Sequence, residues 1–106
     1  MAVYSQKAFV EDFQRIFDLE VTGIADSNTL SETITLSAIL NRKHPIVYVV
    51  QKRLIALGYT EVGKVTGIAN IKFTSAVKHF QADNGCVIDG EITARTKTWK
   101  KLLGME

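Results

Sequence analysis

Apolar residues recur with helical spacing in several stretches of the chain. Intervals of three and four residues place such positions on one face of a helix. The pattern predicts helices over about 4–17, 27–41, 46–57, 71–84 and 94–103. The second stretch has the weakest helical pattern, because the β-branched residues Thr33, Ile34 and Thr35 lower helix propensity. Strands are not needed for any stretch, although residues 62–65 and 86–88 could form brief extended pairings.

The segments that connect these helices repeat. A shift of 67 residues superposes five identical pairs: Val10 and Val77, Phe13 and Phe80, Gln14 and Gln81, Gly23 and Gly90, Thr29 and Thr96. Residues 21–26 also recur almost unchanged at residues 65–70. Self-similarity of this kind indicates that one structural unit has been used more than once.

Each repeated glycine precedes a residue that can cap a helix. Asp26, Asn70 and Thr93 stand three residues after Gly23, Gly67 and Gly90, and their side chains can accept hydrogen bonds from a helix start. Glycine suits the preceding turn because it enters positive φ without steric cost. Helices should therefore begin near residues 26, 70 and 93. The sequence predicts an all-α fold, in which a complete three-helix module (45–106) follows two helices of an incomplete copy (1–44).

An ordered set of motifs runs through residues 46–103. In chain order it comprises Val50-Gln51-Lys52-Arg53-Leu54, Leu57-Gly58-Tyr59, Thr66-Gly67-Ile68, Thr74, Ala76-Val77-Lys78-His79-Phe80-Gln81, Gly85, Asp89-Gly90, Thr96 and Trp99 to Leu103. This order resembles the peptidoglycan-binding domain of type 1, and residues 8–41 resemble a second copy without its first helix. The resemblance implies a three-helix bundle that is not catalytic. It also implies a module that holds a fused or associated cell-wall hydrolase on bacterial peptidoglycan, in an extracellular or wall-associated location.

Composition narrows the alternatives. Thirteen Lys and Arg against eleven Asp and Glu give a formal charge of +2, too small for the dense phosphate neutralisation of non-specific nucleic-acid binding. Apolar runs fall short of the roughly 20 residues that a membrane span needs, so membrane insertion is not expected. Cys86 is the single cysteine, which excludes an internal disulfide and a thiolate metal cage.

Peptidoglycan presents amides, hydroxyls and carboxylates, so its recognition should use loop amides and short polar side chains beside an aromatic ring. The predicted ligand rim is Tyr59, Thr66, Gly67, Asn70, Lys72 and Thr74, with Gln51 and Gln81 as secondary candidates. Purely structural roles are the competing interpretation. Asn70 and Thr74 could only stabilise a helix start, Gln81 could brace the loop after Gly67 from inside, and Tyr59 could pack on a helix end.

An enzymatic interpretation has little support in the residues. His44 and His79 are the two imidazoles, and His79 with Asp83 supplies only two of the three or four ligands of a zinc site. Cys86 near His79 could suggest a thiol nucleophile, but its apolar neighbours favour a small buried hydrophobe. The sequence therefore predicts no catalytic residue, metal or cofactor.

Two other roles are also consistent with the sequence. Three-helix domains can read the DNA major groove, and the carboxy-terminal stretch carries Arg95, Lys97, Lys100 and Lys101. The module could also cover its own enzyme without wall affinity. The incomplete copy could act as a second wall site or pack on the complete module. Packing is favoured, because a unit without its first helix leaves the apolar residues Phe13, Ile16 and Phe17 in need of cover.

Overall fold

Five α-helices and one 3₁₀ helix make up residues 3–106, the part of the chain that this computed structural model describes. The elements in chain order are α1 (Gln6–Ile16), α2 (Ser27–Ser31), α3 (Pro45–Ala56), a 3₁₀ helix (Thr60–Val62), α4 (Ile71–Asp83) and α5 (Lys97–Leu103). The predicted all-α class is confirmed. Within the described residues the β-pairing is one isolated antiparallel bridge between Leu36 and Ile92, so the extended pairings at 62–65 and 86–88 do not form. The first two residues of the predicted incomplete copy lie outside the described residues.

Helices α1, α3 and α4 match their predicted ranges closely, and each begins at a side-chain cap. The Ser5 hydroxyl accepts the N–H of Ala8 at 3.1 Å at the start of α1. At α3, His44 Nδ1 accepts the N–H of Ile46 at 3.1 Å, and proline occupies the first turn, where its missing N–H costs nothing. The caps fix these helix starts because they satisfy N–H groups that have no partner within the helix.

Helix α2 begins where predicted but ends at Ser31, so the helix expected to reach residue 41 was wrong beyond that point. Tertiary hydrogen bonds draw the following segment away from the helix. The Thr33 hydroxyl accepts the backbone N–H of Arg95 at 2.8 Å, and the Ile34 carbonyl accepts the indole N–H of Trp99 at 2.8 Å. Residues 33–35 are accordingly non-helical, an outcome that their β-branched side chains favour.

Helix α5 starts at Lys97, later than the start predicted near residue 93. Thr93 does not cap it. The N–H of Ala94 donates to the Thr35 hydroxyl at 3.1 Å, and Arg95 adopts a left-handed φ of 61°. The segment after Ile92 is therefore a turn held by the incomplete copy, and the helix begins only after that turn.

Side chains of both copies share one hydrophobic core. Phe9, Phe13 and Trp99 are fully buried, and the rings of Phe13 and Trp99 meet edge to face with centroids 5.5 Å apart. The Phe17 ring stacks on His44 at 5.4 Å. Helix α1 packs against α3 and α5. The apolar face of α1 is therefore covered by the complete module, as the sequence led us to expect.

Candidate functional site

A buried glutamine holds the turn that leads into α4. Gln51 lies on α3 and is fully buried, and its Oε1 accepts the N–H groups of Thr66 at 3.1 Å and Gly67 at 2.8 Å. Its Nε2 donates to the Ile68 carbonyl at 3.1 Å. Both ends of the amide are thus used inside the protein, which fixes the turn against α3.

The same arrangement occurs at two other turns. Gln14 on α1 accepts from Thr22 at 2.9 Å and Gly23 at 3.0 Å. Gln81 on α4 accepts from Asp89 at 3.1 Å and Gly90 at 2.9 Å, and each glutamine also donates to a carbonyl in its own turn. We call these three arrangements the glutamine-braced turns.

The braces place two predicted rim residues in the interior. Gln51 and Gln81 are 0% and 1% exposed, so neither side chain lies at the surface where a ligand would meet it. Gln81 does brace a loop from inside, but the loop is the one at Gly90 rather than the one at Gly67. Gln14 was not singled out, although its alignment with Gln81 under the 67-residue shift was a usable signal.

Asn70 and Thr66 remain at the turn before α4. Asn70 is half-buried and caps the helix, since its Oδ1 accepts the N–H of Phe73 at 2.9 Å. This leaves the Nδ2 donor of Asn70 for another partner. Thr66 is exposed, and its hydroxyl accepts the N–H of Ile68 at 3.2 Å, while Gly67 has the left-handed φ of 77° that the turn requires. Polar groups at this turn are therefore held in one arrangement before any ligand arrives.

Asn70 and Thr74 lie one helical turn apart and line a shared groove of about 260 Å³. The groove is lined by Ala38, Arg42, Ala69, Asn70, Ile71 and Thr74. Ala38 and Arg42 come from the segment after α2, and the Arg42 carbonyl accepts the N–H of Ala69 at 2.8 Å. We call this feature the inter-copy groove, because the chain before residue 45 supplies one wall and the start of α4 supplies the other.

Tyr59 and Lys72 do not join this groove. The Tyr59 hydroxyl donates to Asp83 Oδ2 at 2.8 Å at the far end of α4, a helix of 13 residues that spans about 20 Å. Lys72 is exposed and does not line the groove, and its side chain approaches Gly63. The predicted rim is therefore divided among the braced turn, the inter-copy groove and a separate patch around Tyr59.

The patch around Tyr59 is a small cluster of titratable groups. His79 Nδ1 lies 2.9 Å from Glu61 Oε2, and His79 Nε2 lies 3.6 Å from Asp83 Oδ2. The hydrogen bond to Glu61 raises the pKa of His79 above its ordinary value, and the same bond lowers the pKa of Glu61. Partial burial, with the bond to Asp83, raises the pKa of Tyr59 to about 12. Within residues 3–106, no group of three or more His, Cys, Asp or Glu side chains is arranged to hold a metal ion.

Ala38 and Arg42 were missed by sequence reasoning. The sequence predicted a continuous helix through residue 41, and such a helix does not predict that this segment contacts α4. No residue pattern in the chain signalled the groove, because its two walls are far apart in sequence and meet only through tertiary contacts.

Helical repeats joined by glutamine-braced turns define a small all-α repeat domain. The family model described as "Putative peptidoglycan binding domain" matches residues 7–32 and 43–102, most of the chain. The chain therefore belongs to this family of peptidoglycan-binding domains, and the two matched ranges correspond to the partial and complete copies. The chain matched no curated protein and no solved structure. Among the described residues, every helix is too short or too polar to cross a membrane.

Proposed function

We propose that this chain is a non-catalytic module that binds bacterial peptidoglycan and keeps a fused or associated wall hydrolase of the amidase or peptidase type on its polymer. The observation that carries the proposal is the family match, which covers the partial and complete copies. The braced turns support it, because they hold amides and hydroxyls rigidly and so reduce the ordering cost of binding. Such a module acts outside the cell or in the wall.

Within this proposal, wall polymer contacts the turn and the groove beside α4. Thr66, Gly67, Asn70 and Thr74 supply the contacts, whereas Gln51 and Gln81 hold the turns from inside. Tyr59 and Lys72 lie outside this surface and form at most a second, weaker contact. One shallow site binds weakly alone, but attachment to a hydrolase raises the local concentration of substrate around the catalytic domain.

The alternatives are less well supported by the geometry. A DNA reader would need α5 to offer its cations, but Trp99, Leu102 and Leu103 are buried and Lys100 Nζ lies 3.8 Å from Glu106. Helix α5 has only seven residues. A covering domain without wall affinity would give no reason for exposed polar groups at a rigid turn, and deletion of the module distinguishes it. Loss of wall retention with unchanged turnover on soluble fragments supports anchoring, and raised turnover supports a cover.

Co-sedimentation of the chain with purified insoluble peptidoglycan tests the proposal. Asn70→Ser should reduce the sedimented fraction while the helix cap is kept, because serine caps a helix but lacks the Nδ2 donor. Thr66→Ala and Asn70→Ala should also reduce it, with circular dichroism as the check that the cap loss has not unfolded the chain. The matched control is Ser75→Ala, which changes an exposed hydroxyl on the outward face of α4. A parent chain that stays in the supernatant at low and moderate salt would overturn the proposal.

A further inference from the structure

The inter-copy groove combines an apolar lining with one positive charge. Its walls carry the methyl groups of Ala38, Ala69 and Ile71, and the Ile71 side chain is 88% exposed. Arg42 is the single charged residue in the lining, and among residues 3–106 its guanidinium forms no ion pair within 4 Å. The groove therefore offers a ligand one exposed apolar side chain and one cation.

The position of Arg42 is fixed by the backbone rather than by its own side chain. The carbonyl of Arg42 accepts the N–H of Ala69, which ties the segment to the start of α4. On the other wall, Thr74 offers a hydroxyl and Asn70 an amide donor. Arg42 therefore lines a groove whose other wall carries two neutral hydrogen-bonding groups.

The size of the groove limits its occupant. About 260 Å³ lies below the range of roughly 300–1,000 Å³ typical of pockets that enclose a whole small molecule. The end of a chain with small side chains fits this volume. Methyl side chains suit the apolar lining, and a terminal carboxylate suits the planar fork of arginine, which binds it through two parallel hydrogen bonds.

We propose that the inter-copy groove binds the carboxylate end of a peptide with small methyl side chains, with Arg42 as the residue that recognises the carboxylate. This proposal rests on the proposed function, where it assigns the stem peptide, rather than the glycan, to the groove. It also gives the incomplete copy a role in recognition, since that copy supplies Ala38 and Arg42.

The test is titration of the ¹⁵N-labelled full chain with N-acetyl-Ala-Ala, in both stereochemical forms, as the free acid and as the carboxy-terminal amide. The free acid should shift the amide signals of residues 38–42 and 69–74. The amide should bind roughly tenfold more weakly, the loss expected for one charge-assisted hydrogen bond in a partly exposed site. Equal binding of acid and amide, or shifts confined to other regions, would overturn the proposal.

Charge variants show whether Arg42 is responsible for the preference for the free acid over the amide. Arg42→Gln should remove the preference for the free acid, and Arg42→Lys should retain only part of it, since lysine keeps the charge but not the planar fork. Lys43→Gln is the matched control, because it removes the same charge from the adjacent exposed residue, outside the groove lining. An Arg42→Gln chain that still prefers the acid, or a Lys43→Gln chain that loses the preference, contradicts the assignment. A peptide-free glycan that shifts the groove signals more than the free acid does also contradicts it.

Sedimentation with wall polymer separates this inference from the proposed function. If the parent sediments with walls but shows no preference for the acid, only the carboxylate groove is overturned. If the parent prefers the acid in solution but does not sediment, the wall-binding function is overturned and the carboxylate groove stands.

Discussion

The partial and complete copies use the same glutamine brace but surround it differently. Gln14 and Gln81 each accept two N–H groups at a glycine turn, yet the helix that follows has five residues in the partial copy and seven in the complete one. The cleft beside Gln14 is about 100 Å³ and the one beside Gln81 about 200 Å³. The repeated element is thus the brace, whereas tertiary contacts set the length of the next helix.

The third brace extends this comparison. Gln51 reaches a glycine 16 residues later, while Gln14 and Gln81 each reach one nine residues later. The longer connection holds the 3₁₀ helix and Tyr59, which the other two units lack. The Gln51 brace tolerates the insertion because its hydrogen bonds all go to residues 66–68 of the turn and none goes to the inserted residues. Long surface insertions carry a small entropic cost.

The largest expected effect tests whether the two copies form one folding unit. Phe13→Ala removes a fully buried ring that packs on Trp99, and we expect a loss of about 3–5 kcal/mol in the free energy of unfolding of the whole chain. Urea unfolding should show one transition at a lower midpoint. Ile24→Ala, at an exposed position of the same copy, is the control and should change stability by less than about 0.5 kcal/mol. Two transitions, with only one displaced, would show that the copies fold independently.

The next effect measures the brace itself. Gln81→Leu leaves the N–H groups of Asp89 and Gly90 without their acceptor, and we expect a cost of about 3 kcal/mol in unfolding free energy. Gln14→Leu should cost a similar amount if the device is equivalent in both copies. Gln6→Leu, at an exposed glutamine with one bond to a carbonyl, should cost less than about 1 kcal/mol. If a brace substitution costs as little unfolding free energy as Gln6→Leu, water takes the place of the glutamine amide as acceptor of the two N–H groups.

A smaller difference is expected between two turn glycines. Gly67 and Gly90 both have left-handed φ, so alanine at either position should cost about 1–2 kcal/mol in unfolding free energy. At Gly90 a Cβ atom would stand 2.7 Å from Cγ2 of Thr74, whereas at Gly67 the nearest atom is 3.9 Å away. Gly90→Ala should therefore be the more destabilising variant in chemical unfolding. Equal losses would indicate that Thr74 moves aside at little cost.

The smallest effect concerns the pH dependence of the patch that only the complete copy carries. The pKa of His79 is raised, so its contribution to stability is complete below the unfolded pKa and is lost as pH rises through the folded pKa. The pKa of Glu61 is lowered, so its contribution is present above the unfolded pKa and is lost as pH falls through the folded pKa. Both contributions coexist in mildly acidic solution, between these limits. His79→Gln should remove the fall in thermal midpoint on both sides of this window, as pH rises through the folded pKa of His79 and as pH falls through the folded pKa of Glu61. An unchanged profile would show that the exposed pair contributes nothing.

Sequence reasoning succeeded where a local signal decided the structure. Helices α1, α3 and α4 were predictable because apolar spacing marks their faces, and because Pro45 and Asn70 mark the starts of α3 and α4. The end of α2 and the start of α5 were not, because Thr33 and Thr35 accept N–H groups from a segment about 60 residues away. The β-branched residues lowered the helix propensity of this segment, but they did not predict where α2 ends.

The candidate site was predictable to a smaller extent. Asn70, Thr66 and Gly67 were predicted as candidates at the repeated turn, and in the structure they lie in one turn before α4. The separation of Tyr59 from Asn70 depends on the length and direction of α4. Arg42 lines the groove because α2 ends early. These features depend on how distant segments pack, which the spacing of residues does not encode.

The most direct measurement is a map of soluble peptidoglycan fragments on the ¹⁵N-labelled full chain. We expect the signals of residues 66–74 and of the Arg42 segment to move together in fast exchange, while those around Tyr59 and Asp83 stay in place. Shifts centred on the cleft beside Gln81, or no shifts at fragment concentrations in the millimolar range, would contradict it.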